Sequence, residues 1–129
     1  KFMSVMLIDL DWFKKVNDTF GHDVGDKVLQ TVAEEIKSQV RGSDISFRWG
    51  GEEFLVLLRV TDYDDAGMVA EKIRIAVEEA AFTMARIRIT LSAGVAPLSM
   101  TLGFDEAFKL ADKALYHSKN NGRNLVTVT

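Results

Sequence analysis

ISFRWGGEEFLVLLRV, residues 45–60, contains two apolar segments separated by two glycines and two glutamates. Apolar and polar residues alternate over 45–49, and 54–60 is an almost uninterrupted apolar run. This pattern predicts two antiparallel strands that meet in a tight hairpin at the glycines. Glu52 and Glu53 then lie at the tip of the hairpin. The paired strands hold their backbone in place, while their side chains remain accessible to a ligand. An isolated motif of this length is also typical of a solvated, charged turn.

Strand and helix signals also alternate along the rest of the chain. Apolar runs or alternation predict strands at 2–8, 87–89, 91–97 and 125–128. Helical spacing of apolar residues predicts helices at about 12–20, 23–40, 66–80 and 104–115, with Asp62 as the N-cap of the third. The order β-α-α-β-β-α-β-β-α-β favours an α+β fold, in which helices surround a mainly antiparallel central sheet. The length predicts one domain, residues 1–129.

Composition excludes several classes of function. Sixteen Lys and Arg against 19 Asp and Glu give a net charge of −3, so there is no broad attraction for nucleic acid and any phosphate site must be local. The absence of cysteine excludes disulfides, thiolate nucleophiles and zinc-cysteine sites. No apolar stretch approaches the roughly 20 residues that span a bilayer. We expect a soluble cytoplasmic domain without membrane contact. Because Lys1 leads almost directly into an apolar run, we also expect it to be cut from a longer signalling protein.

An acidic loop follows the first predicted strand. The apolar run Phe2 to Ile8 ends at Asp9-Leu10-Asp11. Carboxylate oxygens are natural ligands of Mg²⁺, which usually takes one or two protein carboxylates together with substrate phosphates. Asp11 has a second interpretation, as the N-cap of the next helix, and both roles stay open for it. Asp9 closes an apolar strand and has no such structural explanation.

Three spaced segments carry a resemblance to a known family. They are FKKVNDTFGHDVGD at 13–26, RWGGEEF at 48–54 and ADKALYHSKNNGRN at 111–124. In this order they resemble the motifs of GGDEF-domain diguanylate cyclases, with GGEEF as the signature variant, and the likeness covers essentially the whole chain. It implies a fold related to class III nucleotide cyclases. It also implies an enzyme of bacterial second-messenger signalling that, as a homodimer with one GTP per copy, condenses two GTP into cyclic di-GMP and two pyrophosphates.

The resemblance implies a metal and catalytic set. Asp9, Glu52 and the backbone carbonyl of Leu10 correspond to the ligands of one or two Mg²⁺ or Mn²⁺ ions. Either Glu52 or Glu53 corresponds to the acceptor of the attacking hydroxyl's proton. A metal-bound hydroxyl has a lowered pKa, so no strong protein base is obligatory.

The resemblance also implies a guanine site. Asn17 and Asp26 correspond to the residues that recognise the base, and His22 falls in the same nucleotide-binding segment. A carboxylate accepts hydrogen bonds from both the ring N–H and the amino group of guanine, and adenine lacks that pair of donors. Taken singly, Asn17 is an ordinary residue near a helix end, and Asp26 is a first-turn acid favoured by the helix dipole.

Lys119 and Arg123 correspond to the residues that contact the terminal phosphates. Backbone N–H groups near Trp12 and Phe13, at a helix start, add anion-binding capacity. Without the motif, Lys119 and Arg123 are two cations that complement the dipole at the end of a helix.

Arg41-Gly42-Ser43-Asp44 matches the RxxD site at which the family binds its own product, and its spacing from Gly50 agrees. An arginine can stack on guanine and pair with phosphate, so we expect product inhibition by cyclic di-GMP at Arg41 and Asp44. Arg74 is a weaker candidate partner. By itself the tetrapeptide is an ordinary loop.

Two other functions compete with the active cyclase. A catalytically silent module would bind GTP or cyclic di-GMP and relay a signal through a partner. Such modules are expected to lose acidic ligands or guanine readers, and this chain keeps both. A cyclase or dinucleotide synthase for another purine is the second competitor, because a fold alone does not settle the substrate. The sensor and dimerisation elements are expected upstream of Lys1.

Overall fold

The computed structural model describes residues 2–60, 63–80, 87–99, 101 and 103–129. Its elements in chain order are β1 Phe2–Leu10, α1 Phe13–Phe20, α2 His22–Gln39, β2 Ile45–Arg48, β3 Glu53–Val60, α3 Tyr63–Glu79, β4 Leu91–Leu98, α4 Phe104–Asn120 and β5 Leu125–Val128. Within these residues no helix combines the length and the apolar character needed to cross a bilayer. The Asp62 cap prediction lies outside the described residues.

One five-stranded sheet has the order β2-β3-β1-β4-β5. All neighbours are antiparallel except β4 and β5, which are parallel. The predicted α+β class and the mainly antiparallel sheet are therefore confirmed. β1 is the central strand, and its last residues lie between the start of β3 and the start of β4, so that Asp9 faces Glu53 on one side and Ser92 on the other.

The predicted strand at 87–89 is wrong, because residues 87–90 form no strand. Ile87 and Ile89 are buried nonetheless. They lie on either side of the exposed Arg88, and this local pattern reflects contact with the core and not pairing in a ladder. The segment still reaches the site, since the Asp11 N–H donates to the Thr90 carbonyl at 2.9 Å.

The sheet separates two apolar layers. Met6, Ile8 and Leu10 of β1 belong to a large core shared with α1, α2 and α3. Val5 and Leu7 belong to a smaller core on the opposite face, where α4 packs. Because both faces are covered, the whole of β1 from Ser4 to Leu10 is buried, and residues 5–8 form an uninterrupted apolar run.

α4 lies unusually close to β4. A methyl group at Gly94 would be 2.1 Å from the carbonyl oxygen of Ala111 and 2.4 Å from the backbone nitrogen of Leu115. About one turn beyond Leu115, the buried Ser118 hydroxyl donates to the Ala93 carbonyl at 2.8 Å and lies 2.7 Å from the Thr127 hydroxyl. The end of α4 is thereby fixed to both β4 and β5.

Candidate active site

Three carboxylates meet where β1 ends and the β2-β3 hairpin turns. Asp9 is paired with Glu53 across the ladder, and the Leu10 N–H donates to the Glu52 carbonyl at 3.2 Å. The hairpin is confirmed, with residues 49–52 as its loop. The N–H groups of Trp49 and Gly50 both donate to the Glu53 carbonyl, at 2.7 and 3.3 Å, and fix this loop on β3.

The two glycines of this loop give room and not an unusual backbone conformation. Neither adopts a positive φ. A methyl group on Gly50 would come within 3.0 Å of Glu53 Oε1. Glycine at this position therefore lets the Glu53 side chain fold back over the turn.

Crowding raises the proton affinity of both glutamates. Partial burial raises the pKa of Glu52 above its usual value, and the negative charge of Asp9 and a hydrogen bond with it raise this pKa further. Burial and then Asp9 likewise raise the pKa of Glu53. The nearby Lys119 ammonium opposes both shifts. A site with this excess of negative charge favours a cation.

Lys119 reaches the cluster from the last turn of α4. Its Nζ donates to Asp9 Oδ2 and forms an ion pair in which the Asp9 side chain is 12% exposed and the Lys119 side chain 29%. Strand β1 and helix α4 thus contribute opposite charges to one point, although 110 positions separate them in the chain.

A cleft of about 280 Å³ adjoins the hairpin. Its lining residues are Phe13, Lys14, Asn17, His22, Asp26, Leu29, Arg48, Gly51 and Glu52. The structure thus brings Asn17, His22 and Asp26 together beside Glu52. Gly25 makes this arrangement possible, because a methyl group there would lie 1.8 Å from Asn17 Oδ1.

Asp11 does not cap α1, so that interpretation is wrong. The N-cap residue is Trp12, in a left-handed conformation at φ 60°, and no side chain caps this end. The buried Asp11 carboxylate instead accepts hydrogen bonds from Thr90 Oγ1, Ser92 Oγ and the Asn124 N–H at 2.8, 2.7 and 2.9 Å. These bonds join the end of β1 to β4 and to the turn before β5, which explains the burial of Asp11.

Arg123 lies beside Asp11 and Trp12. Its Nη1 is 3.8 Å from Asp11 Oδ1, and its Cζ lies 4.2 Å from the centroid of the Trp12 ring. Lys119 and Arg123 therefore both flank the end of β1, each beside one of its aspartates.

The Arg41 to Asp44 turn lies at the other end of β2, away from the hairpin loop. Asp44 accepts from the Arg41 N–H and from the Arg59 N–H, both at 2.8 Å, so its carboxylate holds the turn against β3. Arg41 is exposed. Arg74, the weaker candidate partner for this site, has other contacts. The Arg74 guanidinium pairs with Glu71 and Glu78 and donates to Asn124 Oδ1 at 2.8 Å.

Comparison with known proteins agrees with this geometry. The sequence model of the family described as "Diguanylate cyclase, GGDEF domain" matches residues 1–125. The chain belongs to the GGDEF family. Among curated relatives it is 46% identical over 130 residues to diguanylate cyclase A of Treponema denticola, covering 98% of this chain and 35% of that protein. It is 44% identical over 129 residues to the response regulator PleD of Caulobacter vibrioides, covering 96% of this chain and 28% of that protein.

Solved structures give the same result. The active GGEEF domain of a diguanylate cyclase from Vibrio cholerae has a TM-score of 0.92 and 37% identity, covering 99% of this chain and 83% of that one. The GGDEF domain of DgcB from Caulobacter crescentus, solved in complex with c-di-GMP, has a TM-score of 0.92 and 32% identity, covering 98% and 77%. This GGDEF chain spans about a third of the length of the curated relatives it matches.

The donor set of this GGDEF domain fits Mg²⁺. Within the described residues no three acidic or histidine side chains form a preformed cage. Two carboxylates and a backbone carbonyl, with the remaining positions taken by water and substrate phosphates, are what Mg²⁺ usually accepts. Asp9 and Glu52, whose side chains are hydrogen-bonded, and the adjoining Leu10 carbonyl are groups of these kinds. Burial, and then the negative charge of Asp9, raise the pKa of Glu52.

Sequence reasoning missed two determinants of the GGDEF site. Gly25 and Gly94 set the close approaches that position Asn17 and α4, and each sits inside a regular element where glycine is unfavourable. A glycine at an unfavourable position inside a helix or strand was a signal of close packing that the sequence offered. The partners of Asp11 left none, because they come from positions 79 to 113 residues away.

Proposed function

We propose that this domain is a diguanylate cyclase that condenses two GTP into cyclic di-GMP and two pyrophosphates. The observation that carries the proposal is the meeting of Asp9, Glu52 and Glu53 with Lys119, directly beside the cleft lined by Asn17 and Asp26. Charge for a triphosphate and hydrogen-bonding groups for a base thus adjoin each other. The family and its named relatives support the same chemistry.

In this proposal Asp26 accepts hydrogen bonds from the ring N–H and amino group of guanine, and Asn17 pairs with the base edge. His22 borders the same cleft. Lys119 and Arg123 contact the terminal phosphates. The net charge of the chain is −3, so these two cations supply the attraction for the phosphates locally. The uncapped start of α1 at Trp12 and Phe13 adds N–H donors.

Asp9, Glu52 and the Leu10 carbonyl would hold one or two Mg²⁺ or Mn²⁺ ions. Such an ion would lower the pKa of the substrate hydroxyl and neutralise charge on the phosphates. The 3′-oxygen of one GTP forms a bond to the α-phosphorus of the other, pyrophosphate leaves with the bonding electron pair, and the hydroxyl proton passes to Glu52, Glu53 or water. A second such step closes the ring.

Each copy of the domain holds one GTP, so two copies must face each other. The dimer, an upstream sensor or dimerisation segment in a longer protein, and a cytoplasmic location where GTP is available are parts of this proposal. Cyclic di-GMP also binds at Arg41 and Asp44 and inhibits the enzyme. Asp44 already orders that turn, and the exposed Arg41 guanidinium is free to stack on guanine and pair with phosphate.

The test is to incubate the purified domain, fused to a dimeric coiled coil, with Mg²⁺ and either GTP or ATP, and to identify products by mass spectrometry. Cyclic di-GMP and pyrophosphate from GTP alone are expected, with none after chelation of the metal. A cyclic dinucleotide formed from ATP would show that the domain uses adenine nucleotides as substrates. GTP binding without product from the enforced dimer would make the domain a silent binding module.

A further inference from the structure

The Asp11 carboxylate is used completely. Its side chain is 1% exposed. Oδ2 accepts from Thr90 Oγ1 and the Asn124 N–H, whereas Oδ1 accepts from Ser92 Oγ and faces Arg123 Nη1. The three hydrogen bonds satisfy the buried oxygens. The fourth contact of Asp11 is with Arg123, and it alone of the four joins the carboxylate to a cation proposed to bind phosphate.

Arg123 sits in a backbone conformation that its surroundings impose. Arg123 and Asn124 have φ values of 62° and 48°, which non-glycine residues adopt rarely and keep only when neighbouring contacts determine them. Two contacts do so here, since the Arg123 N–H donates to the Ser118 carbonyl at 3.0 Å and the Asn124 N–H donates to Asp11.

The Arg123 side chain is also held on two sides. The Trp12 ring covers its guanidinium at 4.2 Å, and Asp11 attracts it at 3.8 Å. The side chain is still 31% exposed, so part of the guanidinium remains open to a ligand. A long cation fixed in this way loses less conformational freedom when it binds an anion.

We propose that Asp11 is a positioning residue that holds Arg123 ready for the terminal phosphates of GTP. Asp11 itself touches neither substrate nor metal. The role of Asp11 rests on the proposed function, because the triphosphate is the ligand that Arg123 meets. It parallels the contact of Asp9 with Lys119, so the aspartate near the end of β1 and the one just after β1 each contact one of these two cations.

Asp11→Asn isolates this role. An amide oxygen at the Oδ2 position keeps the hydrogen bonds from Thr90 and Asn124, and the amide nitrogen at the Oδ1 position donates to the Ser92 hydroxyl. The attraction of a negative charge for Arg123 is lost, whereas the hydrogen bonds from Thr90 and Asn124 remain in a weaker, uncharged form. Ser92→Ala is the matched control, because it removes a buried hydrogen bond of 2.7 Å to the same carboxylate and keeps the charge.

Affinities are measured by calorimetry for 3′-deoxy-GTP and 3′-deoxy-GMP at constant Mg²⁺, since both ligands lack the 3′-hydroxyl that acts as the nucleophile. Arg123→Ala is expected to weaken the triphosphate about tenfold or more and to leave the monophosphate unchanged. Asp11→Asn is expected to weaken the triphosphate alone, by about three- to tenfold, with no further effect in the Arg123→Ala background. Ser92→Ala is expected to lower the unfolding temperature without changing the ratio of the two affinities.

An equal loss for both nucleotides in Asp11→Asn, or an effect fully additive with Arg123→Ala, would overturn the role of Asp11. So would a change of ratio in Ser92→Ala equal to that in Asp11→Asn. If the unsubstituted domain binds neither nucleotide, the proposed function fails and the positioning role fails with it. If it binds both and Asp11→Asn changes nothing, only the positioning role fails.

A measurement on the unsubstituted domain covers the case in which Asp11→Asn does not fold. Side-chain NMR relaxation without nucleotide is expected to show an Arg123 Nε–H as rigid as that of Arg74, which is held by three partners. The exposed Arg41 serves as the mobile reference. An Arg123 side chain as mobile as Arg41 contradicts the proposal.

Discussion

Asp9 and Glu53 lie opposite each other on neighbouring antiparallel strands, a position at which like charges destabilise a sheet. Glu52 lies beside them and shares their repulsion. At the scale of single residues, the fold therefore keeps three carboxylates together although they repel one another. Lys119, paired with Asp9, offsets part of this repulsion. If these carboxylates hold a divalent cation as proposed, its binding and the folding of the domain are linked through them.

Replacing Glu52 separates folding from catalysis. The folded state binds the Glu52 proton more tightly than the unfolded chain does, because its pKa is raised. Above that raised pKa the Glu52 carboxylate is ionised and lowers the free energy of unfolding of the metal-free domain. As the pH falls from the raised pKa to the ordinary carboxyl value, Glu52 becomes protonated and this destabilisation disappears. In metal-free buffer Glu52→Gln should raise the unfolding temperature slightly at pH 7.5, with the gain vanishing near pH 4.5, and should lower turnover at least about 100-fold.

Calorimetric melting curves and product formation measure the two effects. Glu34→Gln on the exposed face of α2 is the control and should change neither. A Glu52→Gln domain that is less stable than the parent at pH 7.5 would contradict the linkage.

Gly25 decides where the Asn17 amide lies. Alanine at this position must push Asn17 Oδ1 away from a distance of 1.8 Å, and a side-chain end moves easily. Gly25→Ala should therefore leave the domain folded and raise the KM for GTP about three- to tenfold, the value of one lost hydrogen bond. Steady-state kinetics measure this change. Gly67→Ala in α3, where a methyl group meets only the Val128 side chain at 3.3 Å, should leave KM unchanged.

At the scale of elements, the packing of α4 on β4 sets the position of Lys119 and Arg123, the two cations proposed to bind the phosphates. A methyl group at Gly94 meets helix backbone and cannot be relieved by a rotamer change. Gly94→Ala should lower the free energy of unfolding by about 3 kcal/mol or more, as severe overpacking does. Urea denaturation measures this loss. Gly51→Ala adds a methyl group in open space and should change stability by less than about 0.5 kcal/mol. Equal midpoints for the two variants would contradict the close packing.

Most elements could be predicted from the sequence because each carries its own periodicity. Apolar residues of α2 at helical spacing, such as Val28, Val32 and Ile36, are indeed buried. The exception was 87–89, where burial alone produced an alternation typical of a strand. The motif also identified the residues that meet at the site, but not the distances between them. Contacts such as that of Asp11 with Asn124 depend on how the elements pack, and no local pattern encodes them.

At the scale of the whole molecule, the hairpin separates the two sites proposed for product and for substrate. Strand β2 has four residues and spans about 13 Å between the Arg41 turn and the loop of residues 49–52. Cyclic di-GMP held at Arg41 would not occupy the guanine cleft of the same copy. We therefore expect inhibition that lowers the maximal rate without raising the KM for GTP.

Arg41→Ala tests this separation. It should raise the half-inhibitory concentration of cyclic di-GMP about 10- to 100-fold, as expected for a charged contact, and should retain uninhibited turnover. Initial rates at increasing product concentration measure the shift. Arg88→Ala, which removes an exposed arginine beside α3, should behave as the parent. Inhibition of Arg41→Ala at the parent concentration would remove the regulatory role.

The pairing of Asp9 with Glu53 also has an evolutionary consequence. Mutations are filtered by stability as well as by activity, and at this ladder position the two filters oppose each other. A lineage released from the need to make its product would gain stability by exchanging Glu53 for a neutral residue, since the repulsion across the strands would vanish. Replacement of Glu53 by a neutral residue is thus downhill in folding free energy, and the acidic hairpin is kept at a cost in stability.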